Sequence, residues 1–332
     1  MKQSRSLDLV LTTSPFLHTE LTTPKIMGEV LLSLIPILLV GCWYFGVGVL
    51  LVVAAATLGA VGTEWFFSRS QHPSPLTDNS ALLTGILLGL ILPPGFSLWM
   101  AFLGGVAAIG LGKLIWGGLG QNIFNPALVG RAFLQASFPT AITTWEAPAQ
   151  GIFSVPKSLF AAPLMQAQTD AVSSATPLGL AKFSNEITSM FSLLTGNVGG
   201  CIGETSSLLL ILCGLWLAFR KVYEWRLPVS TLLSVALFSG ILHLIKPDAY
   251  PGPLFMLLSG GLLFGAVYMV TDPVSTPVTT KGAWIFGFGV GFLVVLIRLF
   301  GGLPEGVMYA ILLMNAATPY INQYTQSRQF GG

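Results

Sequence analysis

One short stretch carries most of the chain's capacity for covalent chemistry: Asp170-Ala171-Val172-Ser173-Ser174-Ala175-Thr176, followed by Pro177. The residue before a proline is pushed toward extended backbone, so Thr176 presents its hydroxyl, and a presented alcohol can be modified. Small polar loops usually do no more than turn the chain. This one stands out by position, because it falls in the one long loop of an otherwise oily sequence, where Thr176 is expected in water beside a membrane domain. A second set of residues is ionisable. Glu29, Glu64, Asp78, Arg131, Glu204, Asp272 and Arg298 lie within or beside apolar stretches, where a charge facing lipid is costly and an ionisable side chain is a functional candidate. Glu29, Glu204 and Arg298 stand near the ends of those stretches and are expected to reach interfacial water. Asp272, beside Pro273, suits a helix-end turn as well as an ion path. Asp78, Glu64 and Arg131 are better placed for an ion path or a buried pair.

The elements that position these residues are set by composition. Over 332 residues the chain is 53% hydrophobic and 8% charged, against about 25% charged in soluble domains, so it reads as an all-α polytopic membrane protein. A net charge of +2 with scattered basic residues gives no footprint for nucleic acid. Residues 1–26 are polar and read as a cytoplasmic tail rather than a signal peptide. Apolar stretches near 27–44, 46–67, 76–93, 96–116, 121–138, 204–221, 228–245, 253–270, 282–300 and 304–322 suggest about ten transmembrane helices. The third carries Asp78, Asn79 and Pro93-Pro94-Gly95, and the fifth Asn122, Asn125, Pro126 and Arg131. Such broken segments survive in a bilayer only against protein or a cavity, so these two are expected to line the working interior.

With the N-terminus inside, the cytoplasmic side receives Lys2, Arg5, Lys25, Arg69, Lys113, Arg220, Lys221, Arg226, Lys281 and Arg328, and the other side Lys157, Lys182, Lys246 and Arg298. Ten against four puts both termini in the cytoplasm and the 139–203 loop on the outer face. Gly117-Gly118-Leu119 opens the fifth stretch and Gly301-Gly302-Leu303 the tenth. This suggests two inverted five-helix repeats, a first half 27–138 and a second half 204–322, ending in a cytoplasmic tail, 323–332.

Read in order, the chain holds Glu64-Trp65, Leu83-Thr84-Gly85, Leu92-Pro93-Pro94, Gly117-Gly118-Leu119-Gly120-Gln121-Asn122, Asn125-Pro126-Ala127-Leu128 and Gly130-Arg131-Ala132-Phe133. The series continues through Gly196-Asn197, Ile202-Gly203-Glu204, Thr271-Asp272-Pro273-Val274-Ser275 and Pro304-Glu305-Gly306. It resembles, over nearly the whole length, the family that unites the D subunit of the Rnf electron-transport complex with the B subunit of the sodium-translocating NADH:quinone oxidoreductase. The short N-terminal tail looks more like the Rnf branch. The resemblance implies a flavoprotein of a prokaryotic inner membrane, with FMN held through a phosphoester on the threonine that ends the motif. Asp170, Ser173, Ser174, Ala175 and Thr176 match that motif position for position. It also implies a separate flavin transferase, partner subunits, coupling to Na⁺ or H⁺, and a second, noncovalent flavin (riboflavin), for which the third and fifth stretches are the candidate lining. Asp170 is a candidate base for deprotonating the Thr176 alcohol.

Other chemistries find no support. Cys42, Cys201 and Cys213 form no CxxC pair and read as apolar packing residues, and His18, His72 and His243 are isolated, so no metal site is expected. No GxGxxG follows a strand, so a nicotinamide must be oxidised elsewhere. A stand-alone small-solute channel or transporter stays open on hydropathy alone. The Ser-Ser-Ala-Thr patch separates the two readings, because a permease has no use for a transferase target.

Overall fold

Helices begin and end where the sequence places proline, glycine and small polar residues. In the computed structural model, which describes residues 22–68, 75–148, 151–163 and 175–326, regular structure is helical. The N-terminal part holds α1 (Thr23–Phe45), α2 (Gly48–Phe67), α3 (Ser80–Leu90), α4 (Leu98–Gly112), α5 (Pro126–Ser137) and the single turn α6 (Pro139–Ile142). Short helices α7 (Pro177–Gly179) and α8 (Met190–Thr195) follow, then α9 (Ser207–Phe219), α10 (Arg226–Ile245), α11 (Pro253–Leu258), α12 (Leu262–Phe264), α13 (Thr280–Phe300) and α14 (Val307–Thr325).

Among the described residues, five elements are long and apolar enough to cross a membrane: α1, α2, α10, α13, and α4 with the turn that follows it, Leu98–Trp116. The others depart from the ten expected stretches for a physical reason. Helix α3 has 11 residues, about 16 Å of rise against a hydrocarbon core of about 30 Å. Helix α5 starts only at Pro126 and α9 has 13 residues. The 253–270 stretch is cut at Ser259–Gly261 into α11 and α12, the latter running on into a π-turn over Gly265–Met269. Helix α14 is 19 residues long but carries Asn315, Thr318 and Pro319.

Two long pairs form the frame, α2 on α4 and α10 on α13. Glycine lets their backbones touch. A Cβ at Gly105 of α4 would strike the Ala56 carbonyl of α2, and one at Gly291 of α13 would strike the Thr231 carbonyl of α10. One apolar core, including Leu34, Leu88, Leu134, Phe264 and Phe286, joins the two pairs, while Trp43, Leu58, Phe66, Leu244 and Leu313 point outward. Large apolar side chains on the outside suit a chain that spans a bilayer several times.

Candidate functional site

A helix that stops inside a bilayer leaves its last carbonyls without partners, and its C-terminus carries a partial negative charge. Among the described residues, two short helices end against a buried arginine. The Ile91 carbonyl at the end of α3 accepts a hydrogen bond from Arg131 Nη1 of α5 at 2.7 Å. At the end of α11, the carbonyls of Met256 and Ser259 accept from Arg298 Nη1 and Nη2 of α13 at 2.7 and 3.0 Å. Each broken helix therefore ends on a guanidinium, whose planar fork suits adjacent carbonyls.

Two carboxylates balance these charges. Arg131 Nη2 lies 3.4 Å from Glu305 Oε2, and Nη1 lies 3.8 Å from Glu204 Oε1. The second oxygen of Glu305 accepts from the Gly261 N–H at 2.8 Å, which ties the loop before α14 to the break between α11 and α12. Cys201 is buried here and accepts from Arg131 at 3.4 Å, so it belongs to a polar cluster rather than to apolar packing. Arg298 is 3% exposed and the Glu204 side chain 6%, so neither reaches water as expected. The carbonyls at the end of α11 hold Arg298 inside, and Arg131 holds Glu204. Glu29 does pair with the exposed Arg220.

Beside this cluster lies a cavity of about 370 Å³, within the range of cofactor and small-molecule sites. Arg131, Gln135, Thr143, Glu204 and Glu305 give it polar atoms; Ile142, Trp145, Phe183, Phe264, Met308 and Tyr309 give it apolar and aromatic wall. Ala175 and Thr176 border the same space. Two π-turns, Leu180–Ser184 and Gly265–Met269, also reach it through Phe183, Ser184, Gly265 and Met269; such turns recur at functional sites. Asp170, Ser173 and Ser174 lie outside the described residues.

Thr176 has the extended backbone that its proline neighbour dictates, φ −68° and ψ 153°, and its Oγ1 accepts from the Gly179 N–H at 3.1 Å. It is 8% exposed, so the hydroxyl sits at the cavity wall rather than in open water as expected.

The remaining candidates lie elsewhere. Lys113 at the end of α4 is 1% exposed and buries its ammonium against Glu64 of α2, with Ser80 Oγ at 2.5 Å and Asp78 Oδ2 at 3.9 Å. Glu64 and Asp78 thus face a buried lysine. Asp272 closes a turn, accepting from Ser275 Oγ at 2.7 Å and from the Val274 N–H at 3.4 Å. A smaller space of about 70 Å³ is bordered by Ser80, Thr84, Lys113, Asn122, Asn125 and Asp272, so α3 and α5 do face the interior. Asn125 fixes the start of α5, its Oδ1 accepting from Ala127 N and Leu128 N, while its Nδ2 donates to the Met269 carbonyl. Among the described residues, no three His, Cys, Asp or Glu side chains are placed to hold a metal ion.

A multi-pass helical protein with broken helices meeting at a cofactor-sized interior cavity is the class defined by this geometry. The chain belongs to the NQR2, RnfD, RnfE family, whose model matches residues 10–331. It is 40% identical over 336 residues to the D subunit of the proton-translocating ferredoxin:NAD(+) oxidoreductase complex of Clostridium ljungdahlii, covering 97% of this chain and 96% of that one. Identity to the D subunit of the Na(+)-translocating ferredoxin:NAD(+) oxidoreductase complex of Acetobacterium woodii is 39% over 330 residues, with 98% and 96% covered. The D subunit of the ion-translocating oxidoreductase complex of Yersinia enterocolitica is 39% identical over 343 residues, with 97% and 98% covered.

Proposed function

We propose that this chain is the flavin-carrying membrane subunit of an Rnf-type ion-translocating electron-transport complex, with FMN joined to Thr176 through a phosphoester. One observation carries the reading: the threonine that ends the motif stands at the wall of the 370 Å³ cavity, beside the two helix breaks. The lining fits the group. Trp145, Phe183 and Phe264 offer flat apolar surface to a ring system, and Arg131, Gln135 and Glu305 offer hydrogen-bonding atoms at its edges. FMN, when bound, supplies electron transfer. The chain's own residues hold it in register, exclude lipid, and surround it with a fixed set of charges.

The relatives' names support membership of a multi-subunit oxidoreductase complex that moves an ion. Two of them name different ions at nearly equal identity, so overall similarity leaves Na⁺ and H⁺ both open for this chain. Glu64, Asp78, Arg131 and Asp272 are the ion-path candidates. Asp78→Asn is expected to leave flavin content intact and abolish ion transport in the reconstituted complex; normal transport removes Asp78 from the path. The proposal keeps both termini in the cytoplasm, the Thr176 segment on the outer face, and two inverted repeats in the prokaryotic inner membrane. The repeat is supported by the matching pairs, α2 on α4 and α10 on α13, each with one broken helix alongside. For riboflavin, the noncovalent second flavin, the α3–α5 lining does not fit the group: the space of about 70 Å³ there is far smaller than a flavin ring system needs.

The test is a denaturing gel of the full chain, co-expressed with a flavin transferase and viewed under ultraviolet light. The parent is expected to fluoresce and Thr176→Ala to be dark. A dark parent, with an intact mass equal to the bare polypeptide, would overturn the assignment and return the permease reading. Asp170→Asn is expected to slow attachment, and an unchanged rate rules out its role as the base.

A further inference from the structure

The turn that follows Thr176 is fastened to the bundle by one side chain. Lys182, in the π-turn Leu180–Ser184, reaches the C-terminal end of α13, where the Arg298 carbonyl has no N–H of the helix to accept from. Its Nζ donates to the carbonyls of Arg298 at 2.9 Å, Gly301 at 2.5 Å and Leu303 at 3.1 Å. An ammonium has three protons, so all three are used. A cation at the carbonyl end of a helix is also favoured by the helix dipole. Burial pulls this lysine below its ordinary pKa, while the three acceptors favour the charged form.

Position makes the contact more than a helix cap. Between Thr176 and Lys182 lies Leu178, 5% exposed and part of the core. The residue after Lys182 is Phe183, which borders the cavity. The segment is thus pinned by an apolar anchor near its start and an ionic one at its end, with the motif threonine just before the first. The Arg298 carbonyl that accepts from Lys182 belongs to the residue whose guanidinium holds the end of α11. One residue of α13 therefore connects the turn to the helix break.

We propose that Lys182 is a positioning residue for the group carried on Thr176: by tying the 176–184 turn to the carbonyl end of α13, it holds the modified threonine and Phe183 against the cavity. This rests on Thr176 being the attachment site. Lys182 touches neither the cavity nor the hydroxyl, so it acts through the turn.

The experiment uses the purified full chain in detergent, co-expressed with the transferase, as parent, Lys182→Met and Lys182→Arg. Two readouts are taken: hydrogen exchange of peptides spanning 177–186, and fluorescence anisotropy of the attached flavin. Loss of three charge-assisted hydrogen bonds is expected to speed exchange in that segment on the order of tenfold or more. Peptides from α2 and α4 should not change. Anisotropy should fall in Lys182→Met, while Lys182→Arg, which keeps a cation with several donors, should hold both readouts near the parent. Unchanged exchange in Lys182→Met overturns the proposal. So does faster exchange with unchanged anisotropy, which would make the clamp irrelevant to the flavin, or lost protection throughout the bundle, which would make Lys182 a determinant of the fold. A parent without attached flavin overturns the Thr176 assignment first. That result is distinguishable, because the exchange of Lys182→Met still reports whether the turn is tied.

Discussion

Helix α3 has a buried cation at each end, and the two are built differently. At its N-terminus Lys113 is enclosed by Glu64, Asp78 and Ser80, all side-chain oxygens on α2, α3 and the turn between them. At its C-terminus Arg131 divides its fork among the Ile91 carbonyl, Cys201, Glu204 and Glu305. The first site closes on itself beside about 70 Å³ of space, whereas the second borders about 370 Å³ and the motif threonine. A buried ionisable residue therefore does not by itself mark a cofactor site. A compact ammonium can be sealed by two carboxylates and a hydroxyl, whereas a guanidinium holding backbone at a helix break leaves the neighbouring volume open.

The comparison breaks most sharply at Lys113. Lys113→Met strands Glu64, one of whose oxygens already lacks a hydrogen-bond partner. A buried carboxylate left alone costs about 3–5 kcal/mol, and replacing both partners with apolar residues recovers most of it. Thermal unfolding in detergent is expected to show severe loss for Lys113→Met and near-parent behaviour for Lys113→Met with Glu64→Met. If the single variant unfolds like the parent, the cluster does not hold α2, α3 and α4 together. Flavin attachment, at the other end of α3, should survive in the double variant.

How far this could be read from the sequence follows from the same residues. The interior role of α3 and α5 was legible because Asp78-Asn79, Pro93-Pro94 and Asn125-Pro126 break apolar stretches with polar or proline residues. The break at Ser259-Gly260-Gly261 was not, since residues 254–270 around it hold neither charge nor proline. Arg298 looked like an interfacial cation because its partners are carbonyls, and carbonyls leave no mark in a sequence. Glu64 and Lys113 are 49 residues apart, a pairing that only the packing of α2 on α4 creates. Glu305 stood in the sequence as part of a motif, and its reach to Gly261 and Arg131 depends on how the loop before α14 folds back.

At the second cation, charge and shape can be separated. Arg131→Lys keeps the charge opposite Glu204 and Glu305 but loses the fork that also reaches the Ile91 carbonyl. The expected cost is about 2 kcal/mol, the value of one charge-assisted hydrogen bond to a buried carbonyl. Unfolding in detergent measures it, with in-gel fluorescence retained. A variant as stable as the parent would mean that charge alone suffices, removing the distinction between the two ends of α3.

An effect of the same size is expected at Gly260, which tests whether the break between α11 and α12 needs its geometry or only its arginine. Gly260 has φ +63°, a conformation costly for any residue with a Cβ. A methyl group there would run into the Glu305 carboxylate and the Leu178 side chain. Neither neighbour yields freely, since Glu305 is held by the Gly261 N–H and by Arg131, and Leu178 is packed in the core at the turn that follows Thr176. Gly260→Ala is therefore expected to cost about 2 kcal/mol, from backbone strain and overpacking together. Because it pushes on both Glu305 and Leu178, it should also shift the absorption of the attached flavin, whereas Gly110→Ala, on a helical position with nothing within 4 Å of the added carbon, should leave the spectrum unchanged and raise stability slightly. Equal behaviour of the two variants would mean that the break tolerates a side chain and that the arginine alone defines it.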